Sequence, residues 1–244
     1  MSRLSISQSV QILQSSRLAA RCAAASLLLF GVLLLSTSRL AQCQPASNAQ
    51  PSAAELAKRV DAHYNHLQSL KAAFTEQYDG LGMHRNESGV MLLRKPGRMR
   101  WEYQSTPGKV FVLDGKYAWF YAPGDSQVQR IAASQLDDLR SPLRFLLGHT
   151  KIESELTGLT LAPGQSGSYK LTGVPKGQQK RIASLSLEVT AAGAIGGIEI
   201  DETDGAQTRF SFTGEEPDAK LPENAFHFTP PAGVPVVDSS LPPV

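Results

Sequence analysis

His63 and His66 lie three residues apart on one predicted helix, a spacing at which two imidazoles can share a metal ion. No cysteine is at hand, and no nearby Asp or Glu completes a ligand set at a recognised spacing, so both read as partly exposed helix residues and no metal is expected. His84, His149 and His227 are isolated and read the same way. The serines form no nucleophile elbow and no Ser/His/Asp order. Gly193, Gly196 and Gly197 are not followed by the Lys-Ser/Thr pair of a phosphate loop. Asp201-Glu202-Thr203-Asp204 ends a strand at a turn and lacks the oxygen-rich loop of a calcium site. Arg94, Lys95, Arg98 and Arg100 make the densest basic cluster; around a strand turn they can face water, lipid headgroups or an acidic partner. No enzyme and no cofactor follow from this set. What stands out is apolar. Tyr117-Ala118-Trp119-Phe120-Tyr121 is apolar on both faces, and both tryptophans, Trp101 and Trp119, lie in the early strands. One reading is a core with a covered back face. The other is a curved sheet whose concave side is roofed by short helices and holds a lipid or acyl chain.

Composition narrows the classes. Of 244 residues, 41% are hydrophobic and 19% charged, which excludes wholesale disorder. Four of the 24 basic residues (Arg3, Arg17, Arg21, Arg39) and none of the 22 acidic ones fall in residues 1–43, so the remainder carries a net charge of −2. A slightly acidic body argues against nucleic-acid binding, which needs a basic surface. Ala23 to Ser38 is a run of apolar and small residues preceded by Arg17 and Arg21, the pattern of a secretory signal, and its 16 residues fall short of a comfortable membrane span. Residues 1–43 are therefore expected to be a cleaved secretory signal peptide, with lipidation of Cys43 or a retained anchor as alternatives. Cys22 and Cys43 both lie in this leader, so the body has no disulfide and no thiol nucleophile.

The body is expected to run from 52 to 238, between a linker at 44–51 and a Pro-rich tail at 239–244. Ser52 and Glu55 form a capping box, and Leu56, Val60, His63, Leu67 and Leu70 recur at helical spacing, predicting a helix over about 52–69. Beyond it, Met99, Trp101 and Tyr103 alternate with Arg98, Arg100 and Glu102 after the Lys95-Pro96-Gly97-Arg98 turn, a period of two. Val110 to Leu113, Tyr117 to Tyr121 and Gln127 to Ile131 read as further strands, with Asp114-Gly115-Lys116 as a hairpin turn. Residues 133–148 predict two short helices broken at Ser141-Pro142. Strands are expected again near Ile152–Leu156, Tyr169–Thr172, Ser184–Thr190, Ile195–Glu202, Gln207–Thr213 and Ala225–Thr229. About eleven antiparallel strands must curl, and the helices are the only available cover.

Several of these stretches together resemble the LolA family of periplasmic lipoprotein carriers. They are Gly89 to Tyr103 (GVMLLRKPGRMRWEY), Leu113 to Tyr121 (LDGKYAWFY), Ser141 to Gly148, the Asp204-Gly205 hairpin and Phe226 to Val234 (FHFTPPAGV). The resemblance implies an α+β, mainly β fold: an incomplete antiparallel β-barrel with a lid of helices. It also implies a hydrophobic interior for the acyl chains of lipoproteins, which an inner-membrane ABC complex releases and an outer-membrane receptor accepts. A monomer in the periplasm is expected. On this reading Met91, Leu93, Met99, Trp101, Tyr103, Phe111, Trp119 and Tyr121 line the pocket, with Leu139, Leu143 and Leu146 on the lid. Strand parity supports the first five and is ambiguous for Phe111, Trp119 and Tyr121. In the family an arginine before the proline of the second strand latches the lid through its backbone; here that position is Lys95, which keeps the charge but loses the planar fork. Arg94 substitutes only if the strand shifts by one residue, and such a shift points it to the opposite face. Two other functions remain open: a membrane-tethered lipid-binding or sensor module of the same fold, and a lipid hydrolase, which lacks a nucleophile with a base.

Overall fold

The computed structural model describes residues 50–138, 146 and 151–238, with side chains outside 136–138. The first helix, α1 (Ala53–His66), begins at the expected box: Ser52 Oγ accepts from Glu55 N at 3.2 Å, and the Glu55 carboxylate accepts from Ser52 N at 2.7 Å. Its buried stripe is Leu56, Ala57, Val60 and Tyr64. The helix is shorter than the apolar spacing predicts. Leu67 is already extended, and Leu70 belongs to a strand.

Among the described residues twelve strands follow: β1 (Ser69–Gly80), β2 (Met83–Arg94), β3 (Arg98–Tyr103), β4 (Val110–Leu113), β5 (Tyr117–Tyr121), β6 (Val128–Ala132), β7 (Leu156–Pro163), β8 (Tyr169–Pro175), β9 (Ile182–Val189), β10 (Ile195–Glu202), β11 (Gln207–Pro217) and β12 (Val236–Asp238). They form one sheet in the order β12-β6-β5-β4-β3-β2-β1-β11-β10-β9-β8-β7. Two meanders, β1 to β6 and β7 to β11, are joined by the antiparallel β1–β11 pair, while β12 adds parallel to β6. The edges β7 and β12 do not pair, so the barrel is incomplete.

Two expected strands are corrected. Ile152–Glu155 is a helical turn, α3, placed after α2 (Ala133–Asp138), and the strand begins only at Leu156. The Asp61 carboxylate of α1 accepts from Ile152 N at 3.1 Å, giving a free helix N–H a partner that no strand neighbour supplies. Ala225–Thr229 joins no ladder. Glu223–Phe226 is a 3-10 turn, and Arg100 donates to the carbonyls of Ala225 and His227. The proposed second helix of the 133–148 insertion lies outside the described residues, apart from Leu146.

The sheet curls. Trp101 on β3 and Phe210 on β11 are three strands apart, roughly 14 Å on a flat sheet at about 4.8 Å per strand. Their ring centroids are 5.5 Å apart. Helix α1 lies within the curl and touches both meanders. Tyr64 Oη accepts from Ile195 N on β10 at 2.9 Å, and the Tyr64 carbonyl accepts from Lys95 after β2. Gly193 sits so close beneath the helix that a Cβ would stand 2.4 Å from the Arg59 carbonyl oxygen.

Candidate functional site

Cross-strand register sorts the side chains into rows on one face. Leu70, Leu93, Met99, Leu113, Ala118 and Ile131 face one another across β1 to β6. All are buried in the cluster that includes the stripe of α1. One step along the strands, Ala72, Met91, Trp101, Phe111 and Phe120 make a second row. Here burial loosens: Met91 and Trp101 are covered, while Phe111 and Phe120 are half-buried. The third row is Phe74, Gly89 and Tyr103. Gly89 has no side chain for a reason. A Cβ there would come within 1.9 Å of the Glu102 carbonyl oxygen and 2.9 Å of the Phe74 ring. The bare backbone lets Phe74 lie across β2 and meet Trp101 and Tyr103 edge-on, at 4.5 and 5.2 Å between centroids. Across the seam, Phe210 and Phe212 add two half-buried rings.

Beyond the third row the face turns polar. Glu76 and Glu87 stand directly opposite each other and are almost buried. Two cations compensate this like-charge pair: Arg85 lies 2.9 Å from Glu87 and 3.6 Å from Glu76, and Lys109 lies 2.6 Å from Glu87. Tyr103 Oη donates to Glu76 at 2.9 Å. Burial, and then the negative charge of Glu76, push the Tyr103 phenol well above its ordinary range, so it remains a donor at every physiological pH. The face thus grades from a sealed aliphatic floor through accessible aromatic rings to a charged rim.

Met91, Leu93, Met99, Trp101, Tyr103 and Phe111 are all brought together on this face. Leu146 is buried in the same cluster, whereas Leu139 and Leu143 lie outside the described residues. Trp119 and Tyr121 are a correction: register pairs them with Val112 and Val110, on the opposite face. There the C-terminal segment covers them, with Phe228 at 5.7 Å from Trp119 and 6.4 Å from Tyr121 between ring centroids. Trp119 Nε1 donates to Asp114 Oδ2 at 2.8 Å. Sequence reasoning missed Phe74, Phe120, Phe210 and Phe212. The alternation Leu70-Ala72-Phe74 and the pair Phe210-Ser211-Phe212 carry that signal; Phe120 has none, because β5 is apolar at every position and its pairing with Phe111 leaves the inner face open.

Lys95 and Arg94 part company as their one-residue offset requires. Lys95 turns inward and bonds the backbone of α1, not that of the described insertion residues; burial pushes its ammonium below the usual range, and Asp218 offsets part of this. Arg94 turns outward, donates to the carbonyls of Leu221 and Pro222, and lies over the Phe226 ring. Together with Arg100 it turns two of the four cations of the basic cluster onto the chain's own C-terminal segment. His63 pairs with Glu215 at 2.7 Å. An open cleft of about 730 Å³ remains between the β3–β4 connection and the segment from His227 to Pro231.

The sequence profile of the family described as "Outer membrane lipoprotein carrier protein LolA" matches residues 65–229. The outer-membrane lipoprotein carrier protein of Nitrosospira multiformis is 32% identical over 153 residues, 62% of this chain and 72% of that protein. That of Chromobacterium violaceum is 29% identical over 192 residues, 79% of this chain and 92% of that protein. Among solved structures, an uncharacterized conserved protein from Thermus thermophilus shares the fold, with a TM-score of 0.50 at 16% identity, covering 77% of this chain and 99% of that one.

Proposed function

Since the chain belongs to the LolA family of outer membrane lipoprotein carrier proteins, we propose that it holds the acyl chains of a lipoprotein on its inner aromatic face and carries them across the periplasm, from the inner to the outer membrane. The observation that carries this reading is the band of half-buried rings, Tyr103, Phe111, Phe120, Phe210 and Phe212, set between a sealed aliphatic floor and a charged rim. Burying an acyl chain is worth about 0.8 kcal/mol per CH₂ relative to water, so a lipoprotein with two or three chains does not cross an aqueous space unaided at a useful rate. A carrier has only to match the membrane at each end. Loosely packed rings suit that task, because side chains packed to interior density leave no room for cargo and a very tight site does not release it.

On this reading Met91, Leu93, Met99, Trp101, Tyr103 and Phe111 contact hydrocarbon, and Leu139, Leu143 and Leu146 serve the lid. Residues 1–43 direct export and are removed. An inner-membrane ABC complex supplies the cargo, and an outer-membrane receptor accepts it. The protein acts as a chaperone and performs no covalent chemistry. The test is to incubate the purified mature protein with membrane vesicles bearing a radiolabelled lipoprotein and the release complex. A soluble one-to-one complex is expected. Retention of all label in the vesicles, with correctly folded carrier present, overturns the proposal.

A further inference from the structure

Among the described residues, the indole Nε1 of Trp101 is the one buried side-chain nitrogen or oxygen without a hydrogen-bond partner. Three other aromatic polar groups of α1 and the sheet have partners. Trp119 Nε1 has Asp114, Tyr64 Oη has Ile195 N, and Tyr103 Oη has Glu76. Trp101 is 2% exposed and is ringed by Phe74, Phe210 and Phe212, none of which offers an acceptor. A buried donor left unpaired is unfavourable, and a phenylalanine would meet the same apolar surroundings without that cost. The position of Trp101 is informative as well. Its row lies between the aliphatic row of Leu93 and Met99 and the row of Tyr103, beyond which Glu76 and Glu87 begin the charged rim. An acylated glycerol has the same order along its length: hydrocarbon, then a carbonyl that only accepts hydrogen bonds, then a polar head.

Resting on the acyl-carrier reading, we propose that Trp101 Nε1 donates a hydrogen bond to an ester carbonyl oxygen of the cargo lipid and so fixes how deep the acyl chains sit. Hydrocarbon slides along an apolar wall with no preferred register, and one directional bond at the junction of chain and head supplies it. The half-buried rings of Phe210 and Phe212 are the ones that must turn aside to admit the carbonyl.

The test compares dioctanoylglycerol with its dioctyl diether analogue, which keeps the chains and lacks the carbonyls. In the wild-type protein labelled with ¹⁵N-tryptophan, the Trp101 indole proton is expected to move downfield with the diester and not with the diether. The Trp119 indole, already bonded to Asp114, serves as the internal control and stays in place. In Trp101→Phe, the ratio of diester to diether affinity is expected to fall about five-fold, the worth of one ordinary hydrogen bond. If both ligands bind and move the Trp101 signal alike, or if Trp101→Phe keeps the wild-type ratio, the proposal is overturned. If neither ligand binds the folded protein, the acyl-carrier reading falls first and takes this inference with it. The wild-type spectra need no substitution and stand even if Trp101→Phe fails to fold.

Discussion

Arg94 and Lys95 are adjacent in the chain and serve opposite sides of the sheet. A strand alternates its side chains, so one residue decides whether a cation meets α1 or the C-terminal segment. Lys95 places its charge on the Tyr64 carbonyl near the end of α1, where a helix leaves acceptors unpaired and the dipole favours a cation. Lys95→Leu is expected to cost about 1–2 kcal/mol in urea denaturation and to speed amide exchange in the last turn of α1, while Lys95→Arg keeps both near wild type. Unchanged stability and exchange in Lys95→Leu would show that the contact fastens nothing. Asp114 is the second case. Burial raises its pKa, but hydrogen bonds from Trp119 Nε1 and from the N–H groups of Tyr117 and Lys116, with the charge of Arg98, outweigh it and leave the carboxyl below its ordinary value. A depressed carboxylate adds stability that is complete above its unfolded pKa of about 3.9 and is lost as pH falls through the lower folded value. The unfolding midpoint of Asp114→Asn should therefore fall less than that of the wild type as pH drops from 5 to about 3. Parallel curves for the two proteins would remove Asp114 from the acid response.

Among elements, the β1–β2 hairpin positions the site most directly. Its twelve-residue strands carry Phe74, Gly89 and Met91 in register with β3, and Gly89 is the point where two neighbours crowd in. The Phe74 ring can rotate away from an added methyl, but the Glu102 carbonyl belongs to the strand pairing and cannot. Gly89→Ala is expected to lose about 3 kcal/mol of stability and to change the near-ultraviolet circular dichroism of the Phe74–Trp101–Tyr103 cluster. A wild-type denaturation midpoint would mean that β3 yields easily, contrary to this account. Helix α1 shows the limit of periodicity. The stripe at Leu56 and Val60 is real, but beyond His66 the chain does better by pairing with β2 and β11 than by adding helical turns, so Tyr64 and not Leu70 closes the helical stripe.

At the scale of the whole molecule, the decisive feature is that the two faces of β3 to β5 meet different partners. Inside lie α1 and the rings of the second meander; outside lies the C-terminal segment, whose Phe226 is buried and whose Phe228 meets Trp119 and Tyr121. That is why Tyr117 to Tyr121 is apolar at every position, and why the core reading and the curved-pocket reading of that strand each describe one of its faces. By itself the sequence determined the mainly β class, the capped first helix, the strand alternation around Trp101, most turns and the family, because these follow from local patterns: side-chain period, glycine and proline at turns, and motifs in order. It also placed Met91, Leu93, Met99, Trp101 and Tyr103 on one face, since alternation with charge fixes parity within a strand. Only the tertiary structure decided which face of the all-apolar β5 points inward, that the C-terminal segment lies against Trp119 and Tyr121, and that Phe210 and Phe212 reach Trp101 from across the seam. The physical reason is that these contacts join residues more than a hundred positions apart: they arise from the curl of the whole sheet, and no local period encodes a distance between strands that are neighbours only after folding.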